Sequence, residues 1–379
     1  MKLTILIVSL LISLVAVQAD IMPAPSRAAA DVSAFKARLL AATTRHLNLL
    51  LAADGSVASL KGKASDGEEA LAFYRGFELT GDQRFRKAAL TLADRVLKDM
   101  RAMKFGVLLI KEKEKPDSET IMGGGPPALG FYVANVAYIL HKENRRDDDL
   151  KYLGKVIDQY PWNAGGWWSA DIDVKTGESK VPLSKPSPIN KTTAIAMAAG
   201  MLSEALRGID PELSARLKQK TDLCIYHQVI PAQLEDGFWH YGLTGKDPKN
   251  KDILGYFMLT TQELMELQYF NPAYCEPKLD TAIHKAQKFA LNTIAPMTAP
   301  NTNTVSNPHL TPSTPHHYSL ATDPKRGFQL GLILIGAGNF DEGIKIMDAA
   351  LQHFPFGDVG MEGVHAASPS AAILARLHL

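Results

Sequence analysis

The chain has 379 residues, of which 46% are hydrophobic, 21% charged and 8% aromatic, with 41 basic against 40 acidic side chains. These values exclude a disordered polymer, a fibrous repeat and a disulfide-stapled miniprotein, and the length suffices for a full-sized core. Charge parity argues against a nucleic-acid binder, whose domains carry a basic excess.

Met1-Lys2 opens the chain, an apolar run follows over 3–17, and Val17-Gln18-Ala19-Asp20 comes next. A positive start, a short apolar core and a small-residue cleavage site describe a secretory signal peptide over 1–19. The run is short of the roughly 20 residues that a membrane span needs. Residues 20–379 are therefore expected to form a single secreted or periplasmic domain, with no membrane partner.

Helical periodicity dominates what remains, and strand-like alternation is scarce. A first helix is expected over 30–53. Helices then come in pairs: 66–79 with 84–104, 127–141 with 147–159, 190–207 with 211–227, 252–269 with 277–291, and 325–335 with 340–354. Short turns rich in Gly, Asp and Asn divide most partners, such as Thr80-Gly81-Asp82 and Gly208-Ile209-Asp210, as C-caps and N-caps require. A last helix is expected over 368–377. Much longer connections, over 105–125, 160–189, 230–251 and 292–324, separate the pairs, and pair starts recur about every 61–73 residues.

Alternating short and long connections have a geometric consequence. In antiparallel hairpins the short turns gather at one end and the long loops at the other. The spacing predicts an all-α fold, an α/α toroid of six to seven helical hairpins with its functional loops on one face. A tetratricopeptide-type superhelix competes less well, because its repeats are about half this length. The long loops enter the first helix of each pair, so several positive helix ends lie on that face.

The long loops also carry the chemistry. Trp162, Trp167 and Trp168 fall in one of them and Trp239 in the next. Such rings suit stacking on sugar faces, or else pack loops together. Asn190, at the start of a pair's first helix, is either an N-cap or an amide aimed into the cavity. His240 and Tyr241 follow Trp239, and histidine can act as a base near neutral pH. The last long loop holds His309, His316, His317 and Tyr318 and leads to Arg326. Its phenol can transfer a proton, and the guanidinium can neutralise a carboxylate. No metal-site spacing accompanies these histidines. Arg75 lies mid-helix and needs a partner or a cavity. Asp147-Asp148-Asp149 reads as helix-start charge.

Export, the toroid, the aromatic loops and a His/Tyr/Asn/Arg set point to carbohydrate. Hydrolysis needs two carboxyl groups beside the bond, and Asp171, Asp173 and Asp236, with Glu178 and Glu235, keep that route open. β-Elimination needs a carboxylate neutraliser, a base and an acid, and no cofactor. A non-catalytic glycan-binding helical repeat is the third alternative. In organisation the chain resembles secreted α/α-barrel polysaccharide lyases of the alginate and glucuronan type, although no strict signature is matched. That resemblance implies a monomeric enzyme acting on an acidic polysaccharide. It implies Asn190 and Arg326 as neutralisers, His240 as base, and Tyr318 as acid or as combined acid and base. Trp167, Trp168, Trp239, Tyr241, Arg75 and His317 would bind substrate. Cys224 and Cys275 fall on neighbouring pairs, which leaves a bridge between them open.

Overall fold

A computed structural model describes residues 29–52, 56, 66–101, 120–121, 125–144, 146–173, 176–243, 254–295 and 324–353. The expected signal peptide and last helix lie outside this set, as do His309, His316, His317 and Tyr318. Helix α1 spans Ala29–Leu50. Five hairpins follow. They are α2 (Asp66–Thr80) with α3 (Gln83–Arg101), α4 (Gly125–Glu143) with α5 (Asp147–Gln159), and α6 (Ile189–Leu206) with α7 (Pro211–Cys224). Then come α8 (Leu254–Phe270) with α9 (Pro277–Phe289), and α10 (Pro324–Gly336) with α11 (Phe340–His353).

The sequence separates inner from outer helices. Outer α3 buries Phe85, Ala88, Ala89, Leu92, Ala93 and Val96, a stripe at three- and four-residue spacing that faces the core. Inner α6 is buried along nearly its whole length, because its middle, Ala194 to Leu202, is apolar on every side and its polar first turn is covered by the long loops. Inner helices approach one another closely. A Cβ on Gly130 of α4 would lie 2.4 Å from the Ala194 carbonyl oxygen of α6, and one on Gly200 would lie 2.3 Å from Leu267 of α8. Facing positions on neighbouring inner helices are thus about one repeat apart in sequence, so these helices run parallel, as in a toroid. Arg38 of α1 and Asp348 of α11 form an ion pair at 3.1 Å across 310 residues and tie the first described helix to the last. The molecule is an α/α toroid rather than an open superhelix.

A side-chain cap sets the boundary of the third hairpin. Asp210 accepts from the Leu213 N–H at 3.1 Å, with Pro211 opening α7. Outer helices α7 and α9 each end in a five-residue π-turn, Ile225–Val229 and Ala290–Ile294, where the sequence reads as continuous α-helix. The long connections are sewn to one another on one face. β1 (Thr120–Ile121) pairs antiparallel with β4 (Ile172–Asp173), and β2 (Trp162–Asn163) with β3 (Trp167–Trp168). Single bridges join Pro188 to Gly242 and Gln233 to Trp239. Cys224 is buried and Cys275 exposed, and both are free thiols. Among the described residues no helix is long and apolar enough to cross a membrane.

Candidate functional site

The mouth of the toroid is built where α6 begins. Pro188, in extended conformation, precedes the helix and offers no side-chain cap. The Ile189 N–H instead donates to the Tyr241 carbonyl at 2.9 Å. That bond, with the Pro188–Gly242 bridge, holds His240-Tyr241-Gly242 against the first turn of α6. Asn190 is therefore a residue of the helix and not its cap. Its side chain is 4% exposed, and among the described residues nothing donates to its Oδ1.

The preceding segment aims His240. Asp236 accepts from the Phe238 N–H at 3.0 Å, and Gly237 adopts φ +98°. A Cβ on Gly237 would lie 2.2 Å from the Lys285 carbonyl oxygen, so only glycine makes this turn. Phe238 then stacks on Phe257, with ring centroids 5.3 Å apart. The Trp239 indole N–H donates to the Val229 carbonyl at 2.9 Å, at the end of the π-turn. Both rings point inward and leave His240 at the rim, with its ring edge-on to Phe238.

A narrow cavity of about 10 Å³, room for one polar group or one water, is lined by Asn190, Trp239, His240, Tyr241, Tyr256 and Thr260, with Ile189 and Phe257. Tyr256, three residues into α8 counting from Leu254, stacks on Tyr241 at 4.9 Å. The site thus joins the first turns of two inner helices to one long loop. The loop over 160–188 is strapped to the same turn of α6. Lys191, itself buried, pairs with Asp171 at 3.2 Å, and Thr192 Oγ1 accepts from the Trp168 N–H at 3.1 Å.

Four of the expected site residues, Asn190, Trp239, His240 and Tyr241, meet here. Others do not. Trp168 is 0% exposed and packs on Trp162 at 4.4 Å, and Trp239 is 2% exposed. Neither offers a face to a sugar, because each indole fills the space between a long loop and the helices beneath it. Trp167 is half-buried, with its N–H donating to the Leu183 carbonyl at 3.0 Å. Arg75 lies far from the mouth, toward the short-turn end of the barrel. Its guanidinium is sandwiched between the rings of Tyr138 and Tyr269, 4.4 and 4.2 Å from their centroids, and donates to Glu78 and the Tyr138 hydroxyl, both at 2.7 Å. Arg75 is a plug and not a substrate contact. The Arg326 backbone opens α10, while its side chain, like Tyr318 and His317, lies outside what the structure describes.

The carboxyl groups proposed for hydrolysis are engaged elsewhere. Asp171 pairs with Lys191, Asp173 pairs with Lys180 at 3.3 Å, and Asp236 caps its turn. The sequence reading missed Tyr256 and Thr260, which lie inside a helical pattern, and the buried acids Glu69, Glu263 and Glu266. Glu263, one turn below Thr260 on α8, is 0% exposed, and among the described residues no group donates to either carboxyl oxygen. Burial holds its pKa well above the usual carboxyl range. Burial also pushes the Cys224 thiol up to about 12. A larger cavity of about 400 Å³ lies at the opposite end, between the short turns, lined by His141, Asp147, Glu204 and Arg207 among others. Its strongest polar pair is already satisfied, Arg207 donating to Glu204 at 2.8 Å.

No family model and no curated protein matches the sequence. Solved structures do. A cellobiose 2-epimerase from Bacillus thermoamylovorans is 11% identical, with 84% of this chain and 87% of that one covered and a TM-score of 0.62. A D-mannose isomerase is 12% identical over 93% and 100%, with a TM-score of 0.59. An unsaturated glucuronyl hydrolase from Bacillus sp. GL1, described as responsible for glycosaminoglycan degradation, is 13% identical over 90% and 95%, at 0.55. The fold is shared. At these identities the likeness extends to the path of the chain and no further.

Proposed function

We propose that the chain is a carbohydrate-active enzyme that cleaves a uronate-containing polysaccharide, of the alginate or glucuronan type, by β-elimination. The observation that carries this reading is the convergence of Asn190, His240, Tyr241 and Tyr256 on one cavity, where two inner helices begin. The Asn190 amide and the positive end of α6 suit a carboxylate. His240 takes the proton from C5, made acidic by that neutralised carboxylate, and a tyrosine protonates the leaving oxygen. The expected export signal and an acidic polysaccharide partner outside the cytoplasm belong to the same reading, as does action as a monomer.

Hydrolysis is the second reading. It is favoured by the shared fold of the unsaturated glucuronyl hydrolase and by the buried acids Glu69, Glu263 and Glu266 on inner helices. The carboxyl pair it needs would have to come from these rather than from Asp171, Asp173 or Asp236.

One assay separates the readings. The purified protein is incubated with alginate, glucuronan, pectate and a neutral glycan, while ultraviolet absorbance and reducing ends are followed. A rise in the absorbance of a C4=C5 double bond with an acidic polymer is expected. New reducing ends without that absorbance would replace elimination with hydrolysis. Binding without any product would leave a glycan-binding protein.

A further inference from the structure

Resting on the elimination reading, we propose that Tyr256 is the phenol that delivers the proton to the leaving oxygen, the role that the family resemblance gives to Tyr318. Among the described residues, the phenols on the cavity are Tyr241 and Tyr256. The others lie elsewhere. Tyr74 donates to Glu143 at 2.9 Å near the floor of the barrel, Tyr138 and Tyr269 clasp Arg75, and Tyr160 is fully buried.

Two features favour Tyr256 over Tyr241. Tyr256 stands in the first turn of α8, a 17-residue helix, where the positive end of the helix favours the phenolate formed as the proton leaves. Its ring is also fixed from one side by the Tyr241 ring, 4.9 Å away and inclined by 30°. Tyr241 in turn is anchored through its carbonyl to the Ile189 N–H. Tyr241 is thus the brace and Tyr256 the braced group. A separate observation marks the cavity as a place for a polar ligand: Asn190, also on its wall, is buried with an acceptor that no described group serves.

The step balances within these residues. His240 accepts the C5 proton, and the electron pair of that C–H bond forms the C4=C5 double bond. The C4–O bond breaks, its electrons stay on the leaving oxygen, and that oxygen takes the Tyr256 hydroxyl proton. Imidazolium and phenolate return to their resting forms by exchanging protons with water.

The test compares Tyr256→Phe, Tyr241→Phe and Tyr318→Phe on the polymer and on a uronate carrying a nitrophenoxy group at C4, which departs without needing an acid. Tyr256→Phe is expected to lose about 10²–10⁴-fold in kcat on the polymer. It should stay within about 10-fold of wild type on the activated substrate and lose the alkaline limb of its pH profile. A purely structural role would lower both substrates alike and leave the profile's shape intact, and that result overturns the proposal. So does an unimpaired Tyr256→Phe, or a leaving-group-dependent loss confined to Tyr318→Phe. If the wild type makes no unsaturated product from any uronate glycan, the elimination reading fails and takes this inference with it. That failure shows before any variant is made.

Discussion

The two ends of the barrel handle buried polarity in opposite ways. At the short-turn floor, charges and hydroxyls largely serve one another, and the two Arg75 guanidinium nitrogens without a hydrogen-bond partner meet aromatic faces. Arg75 has Glu78 and two tyrosine rings, and Glu143 takes both Tyr74 and a bidentate Arg86. At the long-loop mouth, Asn190 is buried with an unserved acceptor, and Glu263, one turn below Thr260 on α8, is buried with two. Unserved buried groups cost stability, and a fold keeps them where something other than stability is selected. The unbonded Arg75 nitrogens at the floor have the π-faces of Tyr138 and Tyr269 as partners, which the Asn190 and Glu263 oxygens at the mouth lack among the described residues. The floor therefore reads as structural and the mouth as functional, although the larger cavity lies at the floor.

Substitution at the floor should break the fold before it touches chemistry. Arg75→Met removes two cation–π contacts and the bonds to Glu78 and the Tyr138 hydroxyl, leaving the Glu78 carboxylate without its cation and with only the Tyr138 hydroxyl donating to it at 2.9 Å. A loss of about 3 kcal/mol in unfolding free energy is expected, read by denaturant titration. A loss below about 0.5 kcal/mol would mean that the sandwich contributes nothing.

The same experiment at the mouth should run the other way. Asn190→Leu keeps volume and removes an unserved buried acceptor, so stability should hold or rise by about 1 kcal/mol. Turnover, by contrast, should fall on the order of 10²-fold. If stability and turnover fall together, Asn190 is a packing residue and the contrast between the two ends fails there.

Much of this contrast could be read in advance, and the reasons are local. Asp210-Pro211 and Pro277 mark helix starts because a cap and a fixed φ are chemically explicit. The toroid followed from connection lengths alone. The tryptophans are less legible, because a place in a loop does not fix whether a ring faces solvent or packs the loop down. In Trp167-Trp168 the strand period itself requires the two rings to face opposite ways, so one was bound to turn inward. Trp239 is turned inward by Gly237 and held by a carbonyl at the end of a π-turn, and neither could be anticipated from helical periodicity. Tyr256 carried no signal, since its place at the mouth depends on how α8 is set against α6 in parallel register.

A pH titration sharpens the comparison at Glu263. Its folded-state pKa is raised above the ordinary 4.5 by burial, so the native state holds its proton more tightly than the unfolded chain. Its contribution is therefore fully present below about pH 4.5 and is lost as pH rises from there toward the folded-state value. Glu263→Gln, neutral at every pH, should match wild type in acid and gain stability over it as pH increases. The difference should widen steadily as pH rises above about 4.5, read by denaturant titration across the pH range. A gap that is constant with pH would mean that Glu263 is ionised in the native state and has a partner.

The smallest effect should come from the pair that joins the first and last described helices. Arg38 and Asp348 meet at 3.1 Å, but both side chains are largely in water, with 54% and 36% of their surfaces exposed. Exposed pairs of this kind contribute about 0.2–1 kcal/mol, and salt screens them. Asp348→Asn should then lower stability by about 0.5 kcal/mol at low salt and by less at high salt, measured as the shift in denaturant midpoint. The toroid would be held by the apolar faces of its hairpins, with the ion pair recording closure and not causing it. A loss above about 2 kcal/mol would place this contact with the floor network, as a joint on which the ring depends.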